Sequence, residues 1–277
     1  MDGSNGNQVK ATQTSLRILE EVQSRNGVGL AELADDIDLA KSTIHNHLMT
    51  LLNAGYIIKD DDEYRVGLKL LHLGEQARHR SPRHLLAKQH VNTLASEINE
   101  EVDFTMEEYG RMISIYHAAK EGRETNLQSG SYFYMHNNAA GKATLAHLPR
   151  SRVDDIVDQW GLPANTEHTI TSRERLNEEL SKIREQGYAT NDQELIEGFC
   201  AISMIAEMPE GGIFGALSVG GPMYRINSEQ QLIVDRLEQQ IEALEADLVA
   251  ESYPKENWWQ PFRQLSPGEL SRSHTRE

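Results

Sequence analysis

The stretch that most constrains this chain is residues 29–68, GLAELADDIDLAKSTIHNHLMTLLNAGYIIKDDDEYRVGL. Leu30, Leu33, Ala34 and Ile37 recur at helical spacing, so a short helix here has one apolar face. Asp38 and Leu39 make a turn, and Asp38 stands where a left-handed conformation is wanted, which Asp tolerates. Ile44, Leu48, Leu51 and Leu52 then mark a second amphipathic helix from about Lys41 to Ala54. Gly55 follows at the position of a left-handed C-terminal cap. Tyr56-Ile57-Ile58 and Tyr64-Arg65-Val66 flank the acidic tip Asp60-Asp61-Asp62 and form a hairpin. Helix, turn, helix, glycine and hairpin in this order predict a winged helix-turn-helix, which sets one helix in the major groove of DNA. The alternative is a helix pair and hairpin used only for protein contacts.

Under the first reading, Lys41, Ser42 and Thr43 open the recognition helix, where hydroxyls and main-chain N–H groups suit phosphate oxygens. Ser42 or Thr43 is alternatively a helix cap. His45, Asn46, His47 and Thr50 are the polar side chains able to face the groove, and Asn can bond adenine N6 and N7 together. His47 sits beside the apolar face, so a structural role stands equally open. Lys59 and Arg65 on the wing are candidates for backbone or minor-groove contact. The Asp60–Asp62 tip opposes phosphate and must point away or be screened.

The charge balance is unusual for such a protein. The net charge is −16, and residues 1–80 alone hold twelve acids against nine bases. Basic patches are the usual footprint of nucleic-acid binding. An extreme halophile explains the discrepancy, because acid-rich surfaces stay soluble in molar salt. Counterion release contributes little there, with affinity falling by a log–log slope of about −0.9 per neutralised phosphate. Base-edge contacts and shape must then carry more of the binding. The competing explanation is a vestigial helix-turn-helix.

The rest of the chain bounds the class. Its 277 residues are enough for two domains, and no run of about 18 apolar residues suggests a membrane span. The start MDGSNGNQ is polar and lacks a signal-peptide core, so a cytoplasmic location is expected. One cysteine, Cys200, excludes an internal disulfide and a multi-cysteine zinc site, and no metal or other cofactor is expected. Residues 1–10 read as disordered, 11–66 as the DNA-binding domain and 67–82 as a linker helix. Residues 83–250 read as a second domain of interleaved strands and helices. Strands are predicted at Val102–Glu107, Met112–Ala118, Glu124–Leu127, Tyr188–Asn191, Ala201–Met208 and Ile213–Val219. Helices are predicted at His84–Ile98, Ala139–Ala146, Arg152–Trp160, Leu176–Gln186 and Asn227–Val249. The overall class is α+β. Residues 251–277 are polar and proline-broken, either a disordered tail or an arm whose Trp258, Trp259 and Phe262 dock on the protein or a second subunit.

With both halves in view, the chain resembles the IclR family of transcriptional regulators. The resemblance rests on LAELADDIDLAKSTIHNHLMTLLNAGYI, YRVGLKLLHLG, MHNNAAGKATLAHL, ITSRERLNEELSKIREQGYATND and GALSVGGP, in order and at near-normal spacing. It implies an N-terminal winged helix-turn-helix, a linker helix and a C-terminal GAF-like α/β effector-binding domain. It also implies homodimers or homotetramers on a near-palindromic double-stranded operator. The implied control is by a small-molecule effector, such as an organic acid, a sugar-derived or an aromatic compound.

The family's effector cleft maps by this resemblance onto three segments. These are Asn137, Asn138, Ala139 and Ala140 at a helix start, Asn191 with Asp192, and Ser218 with Gly220, where a second Ser is frequent. The family's EPGxRC pattern is here Glu197-Gly198-Phe199-Cys200-Ala201, which puts Ala201 at the usual thiol position. These departures predict a cleft less polar than in many relatives, with Phe133, Met106, Tyr116 and Phe199 as possible apolar walls. Cys200 reads as a buried inert thiol rather than a nucleophile, because no His is paired with it by spacing. An effector-controlled regulator is the leading reading. A constitutive or architectural DNA-binding protein whose second domain only oligomerises is the alternative.

Overall fold

The computed structural model describes residues 8–119 and 127–251. The expectations for residues 1–7, for residues 124–126 of the predicted strand Glu124–Leu127 and for the tail beyond residue 251 lie outside them. The described chain falls into two compact units that divide between Arg80 and Ser81.

In the first unit, α1 (Lys10–Ser24) leads through an Asn26-Gly27 turn into β1 (Val28–Gly29). Then come α2 (Leu30–Asp36), α3 (Lys41–Asn53), β2 (Ile57–Asp60), β3 (Glu63–Val66) and α4 (Lys69–Arg78). The helical spacing read above is what closes this core: Ile18, Val22, Leu33, Ile37, Ile44, Leu48 and Leu51 form one buried cluster with Val28, Ile57 and Tyr64. Burying a side chain of this size contributes about 1.5–3 kcal/mol. Two local expectations fare differently. Gly55 does take a positive φ of 77°, and the Tyr56 N–H returns to the Leu51 carbonyl at 2.9 Å to close α3. Asp38 does not have a positive φ; α2 instead ends on Ile37 in extended backbone, φ −100° and ψ 113°. The wing has a third strand that periodicity missed, in the order β1-β3-β2, because two residues are too few to show a pattern.

The second unit is built on a six-stranded antiparallel sheet of order β6-β5-β4-β9-β8-β7. Its strands are β4 (Glu101–Glu108), β5 (Arg111–Ala118), β6 (Tyr132–Tyr134), β7 (Ala189–Asp192), β8 (Phe199–Glu207) and β9 (Ile213–Pro222). On one face pack α5 (His84–Glu97), α9 (Met223–Ser228) and α10 (Gln230–Val249), around Leu94, Phe104, Leu217, Val219, Leu237 and Leu244. On the other lie α6 (Ala139–His147), α7 (Arg150–Trp160) and α8 (Arg173–Gln186), around Met112, Leu145, Ile156, Leu180 and Ala216. The predicted single helix Asn227–Val249 is interrupted at Glu229, so a short α9 precedes the long α10. Leu127, predicted to end a strand, is not in one, and the strand after β5 is the unforeseen Tyr132–Tyr134. Its aromatics are held by Arg111, whose guanidinium lies 3.9 Å from the Tyr134 ring and 4.3 Å from that of Tyr132.

Candidate functional sites

The exposed face of α3 is the first site. Ile44, Leu48 and Leu51 point into the core. The same periodicity leaves Lys41, Ser42, Thr43, His45, Asn46 and Thr50 exposed together. Neither Ser42 nor Thr43 caps the helix; the N-cap is Ala40, with no side-chain bond, so both hydroxyls are spared for other partners. Thr50 donates its hydroxyl to the Asn46 carbonyl at 2.8 Å. His47 is different. It is half-buried, and its Nδ1 sits 2.8 Å from Ser15 Oγ of α1, so it belongs to the α1–α3 contact.

On the wing, Lys59 is exposed, 5.9 Å from the Tyr64 ring. Arg65 is already committed. Its guanidinium donates to the Asn26 carbonyl at 2.9 Å and to Glu63 Oε2 at 2.7 Å, and lies 3.5 Å from Asp60. A phosphate approaching Arg65 would have to compete with two carboxylates for it. Asp60, Asp61 and Asp62 are all exposed at the tip.

The second site is a cleft on the α6 face of the larger sheet. Asn138, Ala139, Ala140, Asn191, Ser218 and Gly220 all line it. Asn137 does not; it is buried and donates to Asn165 Oδ1 at 2.9 Å, because the 3-10 turn Met135–Asn137 turns it away. Asn138 is the N-cap of α6, its Oδ1 accepting from the Gly141 N–H at 2.8 Å. Asn191 accepts from the Glu194 N–H at 2.8 Å, and Ser218 Oγ donates to Ser203 Oγ at 2.9 Å. Gly220 is required: a Cβ there would meet the Phe199 ring at 2.8 Å, so Phe199 fills the space a serine would take.

The lining goes beyond the residues singled out in the sequence. Strand β4 contributes Glu101, Asp103 and Thr105, which sequence reasoning missed although their alternation with Val102 and Phe104 carried the signal. Val102 and Phe104 face the opposite cluster, as does Tyr116, with Met106 packed against it, so neither Met106 nor Tyr116 is a cleft wall. Phe133, Phe199, Leu127 and Leu195 supply the apolar part. The β5 register steps from Ser114 to Tyr116 opposite Thr105 and Phe104. That bulge turns both Ser114 and His117 toward Asp103. Ser114 Oγ donates to Asp103 Oδ1, whereas His117 Nδ1 stays 3.9 Å away, beyond hydrogen-bond reach. Burial pushes the Asp103 carboxyl up to about 7, the Ser114 bond opposing and the Glu101 charge adding. Burial also lowers the His117 pKa.

Thr105 is 1 % exposed and its Oγ1 has no hydrogen-bond partner among the described residues. A buried unsatisfied hydroxyl costs about 1–3 kcal/mol. Thr105→Val, which keeps the shape, is therefore expected to raise the stability of the ligand-free protein by about 1 kcal/mol in urea unfolding. A loss of stability would show that the hydroxyl has a partner.

Behind the cleft, Lys142 of α6 is 1 % exposed and ion-paired to Glu194, with Glu179 Oε1 at 3.4 Å. Cys200 is buried on the other face of the sheet, its Sγ 3.4 Å from Asp192 Oδ1. Burial first, then Asp192, pushes its thiol up to about 12, so no thiolate forms near neutral pH. Ala201 faces the cleft in its stead. Among the described residues no three His, Cys, Asp or Glu side chains gather to hold a metal, and no helix is long and apolar enough to cross a membrane.

Comparison with known proteins gives both sites a context. Residues 13–61 match the IclR helix-turn-helix domain, and residues 80–247 match the bacterial transcriptional regulator IclR C-terminal domain. The chain is 28% identical over 227 residues to the probable HTH-type transcriptional regulator ArcR of Halobacterium salinarum, covering 80% of this chain and 86% of that one. The fold is that of an IclR transcriptional regulator from Alicyclobacillus acidocaldarius, with a TM-score of 0.72 and 22% identity over 87% of this chain and 99% of that one. An IclR homologue from Microbacterium hydrocarbonoxydans, solved with 4-hydroxybenzoate, gives a TM-score of 0.70 at 19% identity, covering 87% and 99%.

Proposed function

The chain belongs to the IclR family of transcriptional regulators, and from that premise we propose that it binds one specific operator through α3 and releases or tightens it when a small molecule enters the α6 cleft. The family is one of DNA-binding regulators rather than of enzymes. The observation that carries the operator reading is the exposed polar face of α3, whose Lys41, Ser42, Thr43, His45, Asn46 and Thr50 have no core to serve. Lys41, Ser42 and Thr43 take phosphate at the helix start, and Asn46 reads a base edge. His47 and Arg65, both engaged within the protein, support the fold of this unit first.

A homodimer would place two such helices about 34 Å apart on a near-palindromic site. The acid surplus and the exposed aspartates of the wing support a protein that works in the cytoplasm of a salt-adapted organism. Effector control requires that the ligand bind two states of the protein with different affinity. The cleft supports that reading because buried polar groups from β4, β9 and the start of α6 converge there, and because one relative of this fold was solved with 4-hydroxybenzoate.

The test is operator binding by the full chain in molar potassium chloride, on DNA upstream of its own gene and neighbouring genes. Thr43→Ala with Asn46→Ala is expected to cut specific affinity by about tenfold or more, since a bidentate base contact contributes about 1–3 kcal/mol. Non-specific affinity at the same salt should change less. Unchanged specific affinity would overturn the assignment of α3.

A further inference from the structure

We propose that the part of the effector facing β4 and β9 in the α6 cleft carries a hydroxyl, of an alcohol or a phenol, rather than a group that only accepts hydrogen bonds. This rests on the reading of the cleft as the effector site. Ser203 of β8 is 0 % exposed and spends its one hydroxyl hydrogen on the Leu217 carbonyl, at 3.1 Å. A carbonyl can only accept, so the 2.9 Å bond between Ser203 and Ser218 takes its hydrogen from Ser218. Ser218, which lines the cleft, is therefore left with lone pairs alone. Directly across from Ser218 in the β4–β9 register stands Asp103. Ser114 donates to one of its oxygens, and the carboxyl, 5 % exposed, lines the same cleft. Above about pH 7 it too only accepts.

Thr105 Oγ1 is the independent sign of an occupant. It lies two residues along the same face of β4, lines the same space, is 1 % exposed and has no hydrogen-bond partner among the described residues. Two acceptors beside a free hydroxyl call for a group that both gives and receives a hydrogen. A ligand hydroxyl does both: it donates to Asp103 or Ser218 and accepts from Thr105. A ketone or carboxylate oxygen in the same place accepts from Thr105 but sets lone pair against lone pair at Asp103 and Ser218. Acceptors elsewhere on the ligand are suited by the main-chain N–H groups at the start of α6. The central space of about 30 Å³ takes a head group of this size, with the apolar remainder toward Phe133 and Phe199.

Cyclopentanol and cyclopentanone are both neutral and nearly equal in size, and they differ in whether the oxygen can donate. Each is titrated into the full-length protein in molar potassium chloride at pH 8, with binding read by calorimetry and thermal shift. Cyclopentanol is expected to bind about tenfold more tightly, because the ketone leaves buried acceptors unpaired. Thr105→Val and Ser218→Ala should each weaken cyclopentanol severalfold. Ser203→Ala frees the Ser218 hydrogen to turn into the cleft, so it should strengthen cyclopentanone severalfold, which a merely structural role for Ser203 would not do. Cyclopentanone binding as tightly as cyclopentanol, or a preference that survives both Thr105→Val and Ser218→Ala, would overturn the proposal. Binding by neither probe would overturn it as well, since water alone would then serve Thr105. Ala201→Leu, which fills the cleft, separates this failure from failure of the cleft itself. Equal binding of the two probes that Ala201→Leu abolishes would refute the hydroxyl and keep the site. Binding that Ala201→Leu leaves untouched would remove the site and the hydroxyl together.

Discussion

Lys142→Met should destabilise the C-terminal unit by about 3–5 kcal/mol at pH 8, which is among the largest effects expected of any single substitution here. Lys142 is 1 % exposed and Glu194 is 6 % exposed, so neither end of the pair reaches bulk water. Removing the cation leaves a buried carboxylate with no counter-charge. Burial already raises the Glu194 pKa, and Lys142 is the principal group opposing that rise. In the variant Glu194 must keep a proton that the unfolded chain has released, so the penalty should grow as pH rises from 5 to 8. Lys142→Met with Glu194→Gln should recover most of the loss, because a neutral pair carries no such penalty. The damage should reach the cleft. The Glu194 carbonyl accepts from Thr169 at 2.7 Å and its N–H donates to Asn191, which lines the cleft. Urea unfolding of the full chain in molar potassium chloride at several pH values measures this. A loss below 1 kcal/mol at pH 8 would show that water reaches Glu194.

Asp103→Asn is expected to make the protein more stable at pH 8 by roughly 4 kcal/mol, while leaving it nearly unchanged near pH 4. The Asp103 carboxyl is raised from 3.8 to about 7 in the folded protein. A carboxyl raised in this way holds its proton in the folded state after the unfolded chain has lost it. Stability from this group is therefore greatest below pH 3.8, declines as pH rises toward 7 and is level above that, a change of roughly 4 kcal/mol at 1.36 kcal/mol per unit. Asparagine has no such slope and still accepts from Ser114 as Asp103 does. Among the described residues the titratable groups near Asp103 are Glu101 and His117, and Glu101→Gln should flatten part of the same slope because its charge helps to raise Asp103. The difference between wild type and Asp103→Asn, measured at pH 5 and pH 8, isolates the effect from other titrating groups. Equal differences at the two pH values would show that Asp103 is ionised throughout. A cleft that gains stability on losing a carboxylate has been shaped by something other than stability, which accords with a ligand site.

These two effects lie where local pattern is silent. The helical periodicity of Ile44, Leu48 and Leu51 specified α3, and it also specified which side chains, such as Asn46, stay outside, because one stripe of a helix determines the other. Gly55 as a cap and the wing strands were legible for the same reason: each is a decision made within a few residues. The alternation Glu101-Val102-Asp103-Phe104-Thr105 was equally legible as a strand with a polar face. What it could not say is what that face meets. Asp103 finds Ser114 and approaches His117 only because β4 pairs with β5 through a bulge, and Ser218 reaches the same cleft only because β4 pairs with β9. Lys142 and Glu194 are 52 residues apart, Ser15 and His47 32 apart, and Arg65 and Asn26 39 apart. By itself, then, the sequence determined the class of the molecule, its α3 face and the segments that converge on the cleft. Tertiary structure alone decided that β4 brings Glu101, Asp103 and Thr105 into the cleft, that His47 and Arg65 are engaged inside the protein and that Lys142 is buried in an ion pair. The physical reason is range: periodicity, caps and turns act over one or two turns of chain, whereas burial, pairing register and charge balance are set by neighbours that only the folded chain brings together.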